Sequence, residues 1–187
     1  AATFVGHPLA DAIPIGSHEK CLARGCDVIN LSHGLGMVSS YVREVIRFIA
    51  TSGRQGQGTV IVCSTGNSDG DISMSNDLVT CDGTIAVANT LISFDTGREQ
   101  RATASGRGLA VDLSALGQDA MTLSPDPNLQ YYGCRETTGI SGVLESGGTS
   151  AASATISGIA GLVLSANPDL TRDAVEQVLR DTADKID

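Results

Sequence analysis

The residues best placed to do chemistry in this chain lie in one short run, Gly147-Gly148-Thr149-Ser150-Ala151-Ala152-Ser153-Ala154. Its two glycines permit a tight backbone turn, and the small residues that follow let a helix begin close to its neighbours. The run leads straight into the apolar segment Thr155-Ile156-Ser157-Gly158-Ile159-Ala160-Gly161-Leu162-Val163-Leu164, so Ser150 falls at a helix start. A hydroxyl there has two readings. It is a plain N-cap that accepts a backbone N–H. Or it is a nucleophile, set beside N–H groups that are free at the first turn and that, with the helix dipole, stabilise negative charge developing on a substrate oxygen. What the rest of the chain places beside Ser150 decides between them.

The elements that must position this run alternate in type. A short apolar start, Ala2-Thr3-Phe4-Val5-Gly6, reads as a strand, followed by a loop punctuated by Pro8 and Pro14. Ser17 caps a short helix from His18 to Arg24, stopped by Gly25, and Cys26-Asp27-Val28-Ile29-Asn30-Leu31 is a compact run of buried-strand type. Val42, Val45, Ile46, Ile49 and Ala50 recur with helical spacing and predict an amphipathic helix that ends near Gly53. Further strands are expected over residues 59–63, 84–89 and 109–113, with a polar loop over 64–82 and a long polar segment over 118–146. Asn167-Pro168 then breaks the chain, Thr171 caps again, and Ala174, Val175, Val178, Leu179 and Ala183 form a last helical face. Strands that alternate with helices predict a parallel α/β sheet.

Composition narrows the function classes. The chain has 187 residues, 41% of them hydrophobic, which is enough for one packed core. A formal net charge of −9, with 12 basic residues scattered rather than patched, argues against nucleic acid and anionic membrane as partners. Aromatic residues make up only 3% and offer no stacking surface for bases. No uninterrupted apolar run approaches the roughly 18 residues that span a bilayer. The cysteines at 21, 26, 63, 81 and 134 are odd in number and lack the CxxC spacing of a zinc site. Cys63 ends an apolar run and reads as a buried thiol, whereas Cys81 and Cys134 fall in polar loops where a disulfide is conceivable.

Several stretches in order resemble the subtilisin-like serine peptidases, the subtilases, over nearly the whole chain. Asp27-Val28-Ile29-Asn30-Leu31-Ser32-His33-Gly34 is similar to the family's core strand running into its substrate-binding segment, where an extended peptide pairs with exposed backbone. Val60-Ile61-Val62-Cys63-Ser64-Thr65-Gly66-Asn67 resembles the strand that ends in Gly-Asn. Asp112-Leu113-Ser114-Ala115-Leu116-Gly117 resembles a later strand, with Leu116 where the family usually has proline. Gly148-Thr149-Ser150-Ala151-Ala152-Ser153 matches the nucleophile motif, with Ala154 where proline is usual. The Thr-Ser-Ala-Ala form is most similar to the bacterial and kexin-like branches.

The resemblance implies a three-layer fold, a mostly parallel sheet with helices on both faces. It implies that residues 1–187 are the C-terminal-side portion of a catalytic domain, short of its usual extent at both ends. It implies a serine endopeptidase secreted or working outside the cytoplasm, with a polypeptide substrate and no cofactor required for catalysis. The catalytic residues implied are Ser150, as the attacking group, and Asn67, whose side-chain amide donates to the oxyanion. Ser32, His33, Gly34, Ser64 and Gly66 are the implied substrate contacts. The family's general-base His and its Asp precede the Asp27 strand, and no such signature stands upstream of residue 27, so the missing N-terminal part of the domain is an expected partner.

Some residues imitate the absent ones. Asp95-Thr96-Gly97 copies the family's aspartate motif, and His33-Gly34 faintly copies its histidine motif, but they occur in the wrong order and each fills another place in the match. Asp95 reads as a hairpin-turn residue, and His33 as lining the cleft or capping the loop. His7 and His18 read as solvated. Asp69, Asp71, Asp77 and Asp82 form an oxygen-rich loop without EF-hand spacing, and structural calcium is a further expectation from the resemblance. The rival to an enzyme is a subtilase-like module that binds peptides or partners without hydrolysis; Ala154 and Leu116 favour it, Ser150 and Asn67 oppose it.

Overall fold

The structure of the chain, a computed structural model, describes residues 4–5, 25–34, 36–118, 120–123 and 143–186. The helix expected at 18–24, His7, Cys21, Cys134 and the residues Tyr131, Tyr132, Arg135 and Glu136 lie outside them. The strands β1 (Phe4–Val5), β2 (Val28–Leu31), β3 (Val60–Ser64) and β4 (Thr84–Ile92) stand side by side in that order and run parallel. β5 (Glu99–Arg101) pairs antiparallel with β4 through a hairpin, and β6 (Leu113–Leu116) pairs parallel with β4. Asp95 sits in the turn of that hairpin, where Gly97 N–H donates to the Ser93 carbonyl at 2.8 Å.

Alternation along each strand builds a core on either face of the sheet, because successive side chains point opposite ways. Ile29, Ile61, Cys63 and Ala86 face α1 (Ser40–Gly56), which lays Ile46 and Ile49 on them. Val28, Val60, Val62, Ile85, Val87 and Leu113 face α2 (Thr149–Ala166) and α3 (Arg172–Thr182), which contribute Ala152, Ile156, Ala160, Val175 and Leu179. The result is the three-layer, mostly parallel α/β arrangement. The 18 residues of α2 have a mean hydropathy of 1.4, long and apolar enough to cross a bilayer. Its packing on β2, β3, β4 and β6 makes it a core helix.

Three local features depart from the periodicity. The strand expected at 109–113 begins only at Leu113, since the Asp112 carboxylate takes the Ala86 N–H at 2.7 Å while the Asp112 N–H donates to the Ala86 carbonyl at 2.9 Å. A side chain thus stands in for the ladder partner. Within the segment read as polar loop, β7 (Ala120–Leu123) and β8 (Val143–Ser146) form a separate antiparallel pair. Cys81, expected in a polar loop, closes the short 3-10 turn Leu78–Thr80 as a buried free thiol.

At the end of α1 the backbone leaves the helix at Gly53, and Arg54 and Gln55 take φ of 50° and 59°. That left-handed pair costs about 1–2 kcal/mol per residue, and the guanidinium it buries repays it. Arg54 Nε bonds Asp27 Oδ1 at 3.0 Å, while its Nη atoms donate to the carbonyls of Gly58, Pro168 and Leu170 at 2.7–3.2 Å. One side chain, 4% exposed, therefore ties the entry to β2, the turn into β3 and the α2–α3 connection. Arg54→Ala leaves those carbonyls and Asp27 without it and is expected to cost about 3 kcal/mol, read as a lower urea midpoint at unchanged m. The Cys63 thiol, 1% exposed and pushed well up by burial, is expected to resist iodoacetamide in the native chain and to react only on unfolding, as mapped by peptide mass.

Candidate active site

The parallel strands β2, β3 and β6 end on one edge of the sheet, the edge where open α/β sheets place their ligands. Ser32 follows β2, Gly66 and Asn67 follow β3, and Gly148 to Ser150 enter α2 at the same edge. Gly148, not Ser150, is the N-cap, with φ 87° and ψ −173° and no side-chain cap bond. Ser150 is the second helical residue. The plain-cap reading of its hydroxyl therefore fails, and that hydroxyl instead donates to the Ser32 carbonyl at 3.0 Å.

Asn67 is locked to the same turn. Its Oδ1 accepts the Thr149 backbone N–H at 2.9 Å and the Thr149 hydroxyl at 3.0 Å. With the oxygen committed to the helix start, the Nδ2 donors are left for another acceptor, and the residue is exposed. Gly148 is required there twice over. Its backbone conformation is one that only glycine adopts without strain. A Cβ on it would also lie 2.9–3.2 Å from the Oδ1, Nδ2 and Cγ of Asn67. The first-turn donors divide cleanly: Thr149 N–H goes to Asn67, and Ala151 and Ala152 N–H go to the Gly148 carbonyl at 3.1 and 3.2 Å. Among the described residues this leaves the Ser150 N–H as the donor without an acceptor, adjacent to its own hydroxyl.

A ladder of small polar groups fixes Ser150 against β2. The Ser32 hydroxyl donates to the Ser150 carbonyl at 2.9 Å, accepts from Asn30 Nδ2 at 2.8 Å and lies 3.0 Å from the Ser153 hydroxyl. Ser153 in turn donates to the Ser150 carbonyl at 3.0 Å, and Ser157 lies within reach of both Asn30 Oδ1 and the Ser153 carbonyl, at 3.3 and 2.8 Å. The ladder includes Asn30, Ser153 and Ser157, which sequence reading did not single out. Their signal was present: Ser153 and Ser157 are polar residues four apart on the buried face of an apolar helix.

The structure brings Ser150, Asn67 and Ser32 together. Ser64 is buried at the end of β3, paired in register with Val87, and Gly66 takes φ 87° and accepts the Gly106 N–H at 2.9 Å, so both shape the turn that delivers Asn67. His33 and Gly34 continue the edge beyond Ser32, His33 half-buried and Gly34 exposed. Among the described residues the Ser150 hydroxyl meets a carbonyl rather than a histidine nitrogen. Asp69 pairs with Arg101 and Arg107, Asp71 accepts the Ser73 N–H, Asp77 accepts the Gly36 and Leu78 N–H groups, and no three carboxylates converge among the described residues.

The model of a protein family described as the subtilase family matches residues 2–187. The chain is 32% identical over 163 residues to an extracellular protease of Xanthomonas campestris, covering 86% of this chain and 25% of that protein. It is 29% identical over 147 residues to the endoprotease aex-5 of Caenorhabditis elegans, covering 78% and 24%. Among solved structures, a protease of Pseudoalteromonas arctica matches with a TM-score of 0.60 and 26% identity over 86% of this chain and 45% of that one. A cold-adapted subtilisin-like serine proteinase shares the fold with a TM-score of 0.65 at 23% identity, covering 90% and 53%. The chain thus spans about a quarter of the length of these curated relatives and about half of these solved chains.

The lock between Gly148 and Asn67 is testable without any activity. Gly148→Ala is expected to destabilise the chain by about 1–3 kcal/mol and to shift the Asn67 side-chain amide resonances. Gly147→Ala, whose Cβ would meet nothing closer than 3.4 Å, is expected to leave both nearly unchanged.

Proposed function

The chain belongs to the subtilase family, and from that membership we propose that it carries the nucleophile side of a serine endopeptidase site. The observation that carries this reading is the pairing of two donors beside one hydroxyl: the Asn67 amide, its oxygen already engaged, and the Ser150 N–H, both fixed by the start of α2. Ser150 Oγ attacks the scissile carbonyl carbon, and its proton passes to a general base. The carbonyl oxygen, now negative, is held by Asn67 Nδ2 and the Ser150 N–H, donors that need no reorganisation because the fold has already spent their alternatives. The tetrahedral species collapses with cleavage of the C–N bond as the base returns its proton to the leaving amine. Water then attacks the acyl-serine by the same route and frees the second product.

The general-base His and its orienting Asp are supplied by the N-terminal part of the catalytic domain outside this chain. The Ser32 carbonyl that holds the hydroxyl here cannot accept its proton to any useful extent, so this chain alone is expected to be inactive. The edge from Ser32 to Gly34, with Ser64 and Gly66 opposite, aligns an extended polypeptide through backbone pairing. Work outside the cytoplasm is supported by the relative named an extracellular protease.

A fluorophosphonate probe tests the proposal. In the longer protein it is expected to label Ser150, and Ser150→Ala to abolish labelling. Asn67→Ala is expected to lower kcat by about 10²–10³, the loss known for removal of such a donor from an enzyme of this family. Absence of labelling in a longer protein that lacks an upstream histidine would favour the non-catalytic binding module instead.

A further inference from the structure

Two residues outside the nucleophile cluster hold the segment that continues from the proposed substrate edge, and one of them lies directly under Gly34. The connection between β3 and β4 brings Asn76 and Asp77 against the segment that runs from β2 to α1. The Val38 N–H donates to the Asn76 carbonyl at 2.9 Å, and the Gly36 N–H donates to Asp77 Oδ2 at 3.1 Å. The other oxygen of the same carboxylate, Oδ1, accepts the Leu78 N–H at 2.7 Å and so starts the 3-10 turn. Asp77 is thus a strut with one oxygen in each loop.

Gly34 explains why the strut fits. A Cβ at that position would overlap Asp77 Oδ2, so the edge can hold only a glycine while the carboxylate lies beneath it. The grip is reinforced from α1. Arg43 Nε and Nη2 donate to Asn76 Oδ1 at 3.2 and 2.6 Å, and Arg43 Nη1 donates to the Thr80 carbonyl at 3.1 Å. The Asp77 N–H is itself held by the Ser75 hydroxyl at 3.2 Å. None of these hydrogen bonds reaches Ser150 or Asn67.

We infer that Asp77 is a positioning residue for peptide binding, holding the Ser32–Gly34 edge in the course along which a substrate backbone pairs with it. The inference rests on the proposed role of that edge in a peptidase. Its chemistry is selective in a useful way. A peptide occupying several residues on the acyl side of the scissile bond needs the edge, whereas a small activated ester needs only the hydroxyl and its oxyanion donors. Releasing the strut therefore costs binding of the long substrate and leaves the short one alone.

The experiment compares two substrates in the longer protein. For Asp77→Ala, KM for an oligopeptide is expected to rise about tenfold, the worth of a charge-assisted hydrogen bond, with kcat within about twofold. The kcat/KM for p-nitrophenyl acetate is expected to be unchanged. Asp77→Asn, which keeps the shape and one acceptor, is expected to fall between wild type and Asp77→Ala and covers the case in which the alanine variant folds poorly. Equal losses on peptide and ester, or no loss on either, overturn the positioning role. Amide exchange on the present chain keeps this apart from the peptidase reading: protection of Gly36 is expected to vanish in Asp77→Ala, and its retention overturns the strut. If Gly36 protection vanishes but the wild-type longer protein neither cleaves peptide nor takes the fluorophosphonate, the peptidase reading fails and the role in substrate alignment falls with it.

Discussion

The arrangement depends on a reciprocal contact between two serines far apart in sequence. The Ser150 hydroxyl donates to the Ser32 carbonyl, and the Ser32 hydroxyl donates to the Ser150 carbonyl, at 3.0 and 2.9 Å. Each residue supplies the partner that the other's polar group would lack near the dry interface between sheet and helix. Because the contact is double, α2 cannot slide or rotate against β2 without breaking both halves. The Asn30, Ser153 and Ser157 groups extend it inwards, where Ser153 and Ser157 are buried and are tolerated only inside a network that satisfies its members.

The same contact sets the electronic state of the site. A backbone carbonyl orients a hydroxyl but does not take its proton, so Ser150 rests here as an ordinary alcohol. The proposed oxyanion donors, by contrast, are already fixed in place, Asn67 by the commitment of its Oδ1 to Thr149. Preorganised stabilisation and nucleophile activation are therefore separable in this fold. The first is built by the helix start alone, and the second requires a group that displaces the Ser32 carbonyl as the hydroxyl's partner.

How much of this could be read beforehand depended on the kind of signal. The parallel strands and the helix at Val42 to Ala50 were legible because burial imposes its period directly on the residue types. The run at Ser150 and the Gly66-Asn67 turn were legible as motifs, and the structure adds the geometry that motifs lack, namely that Thr149 is what aims Asn67. The polar ladder was not read because serine is ambiguous: in a helix it passes for a small residue until its partner strand is known. Strand β6 was misplaced for a related reason, the Asp112 carboxylate imitating a backbone acceptor. The β7–β8 pair was hidden in a segment whose polarity resembles a loop.

The buried Arg54 side chain lies at the opposite pole from the serines. It closes on Asp27, just ahead of β2, and on the turn before β3, whereas Ser32, Asn67 and Ser150 gather where those strands end. The length of the sheet therefore separates the residues that hold the chain folded from those that would perform its chemistry. Polar latches at the far pole can therefore be exchanged, and the stability of the chain retuned, without disturbing the bonds that hold Ser150 and Asn67.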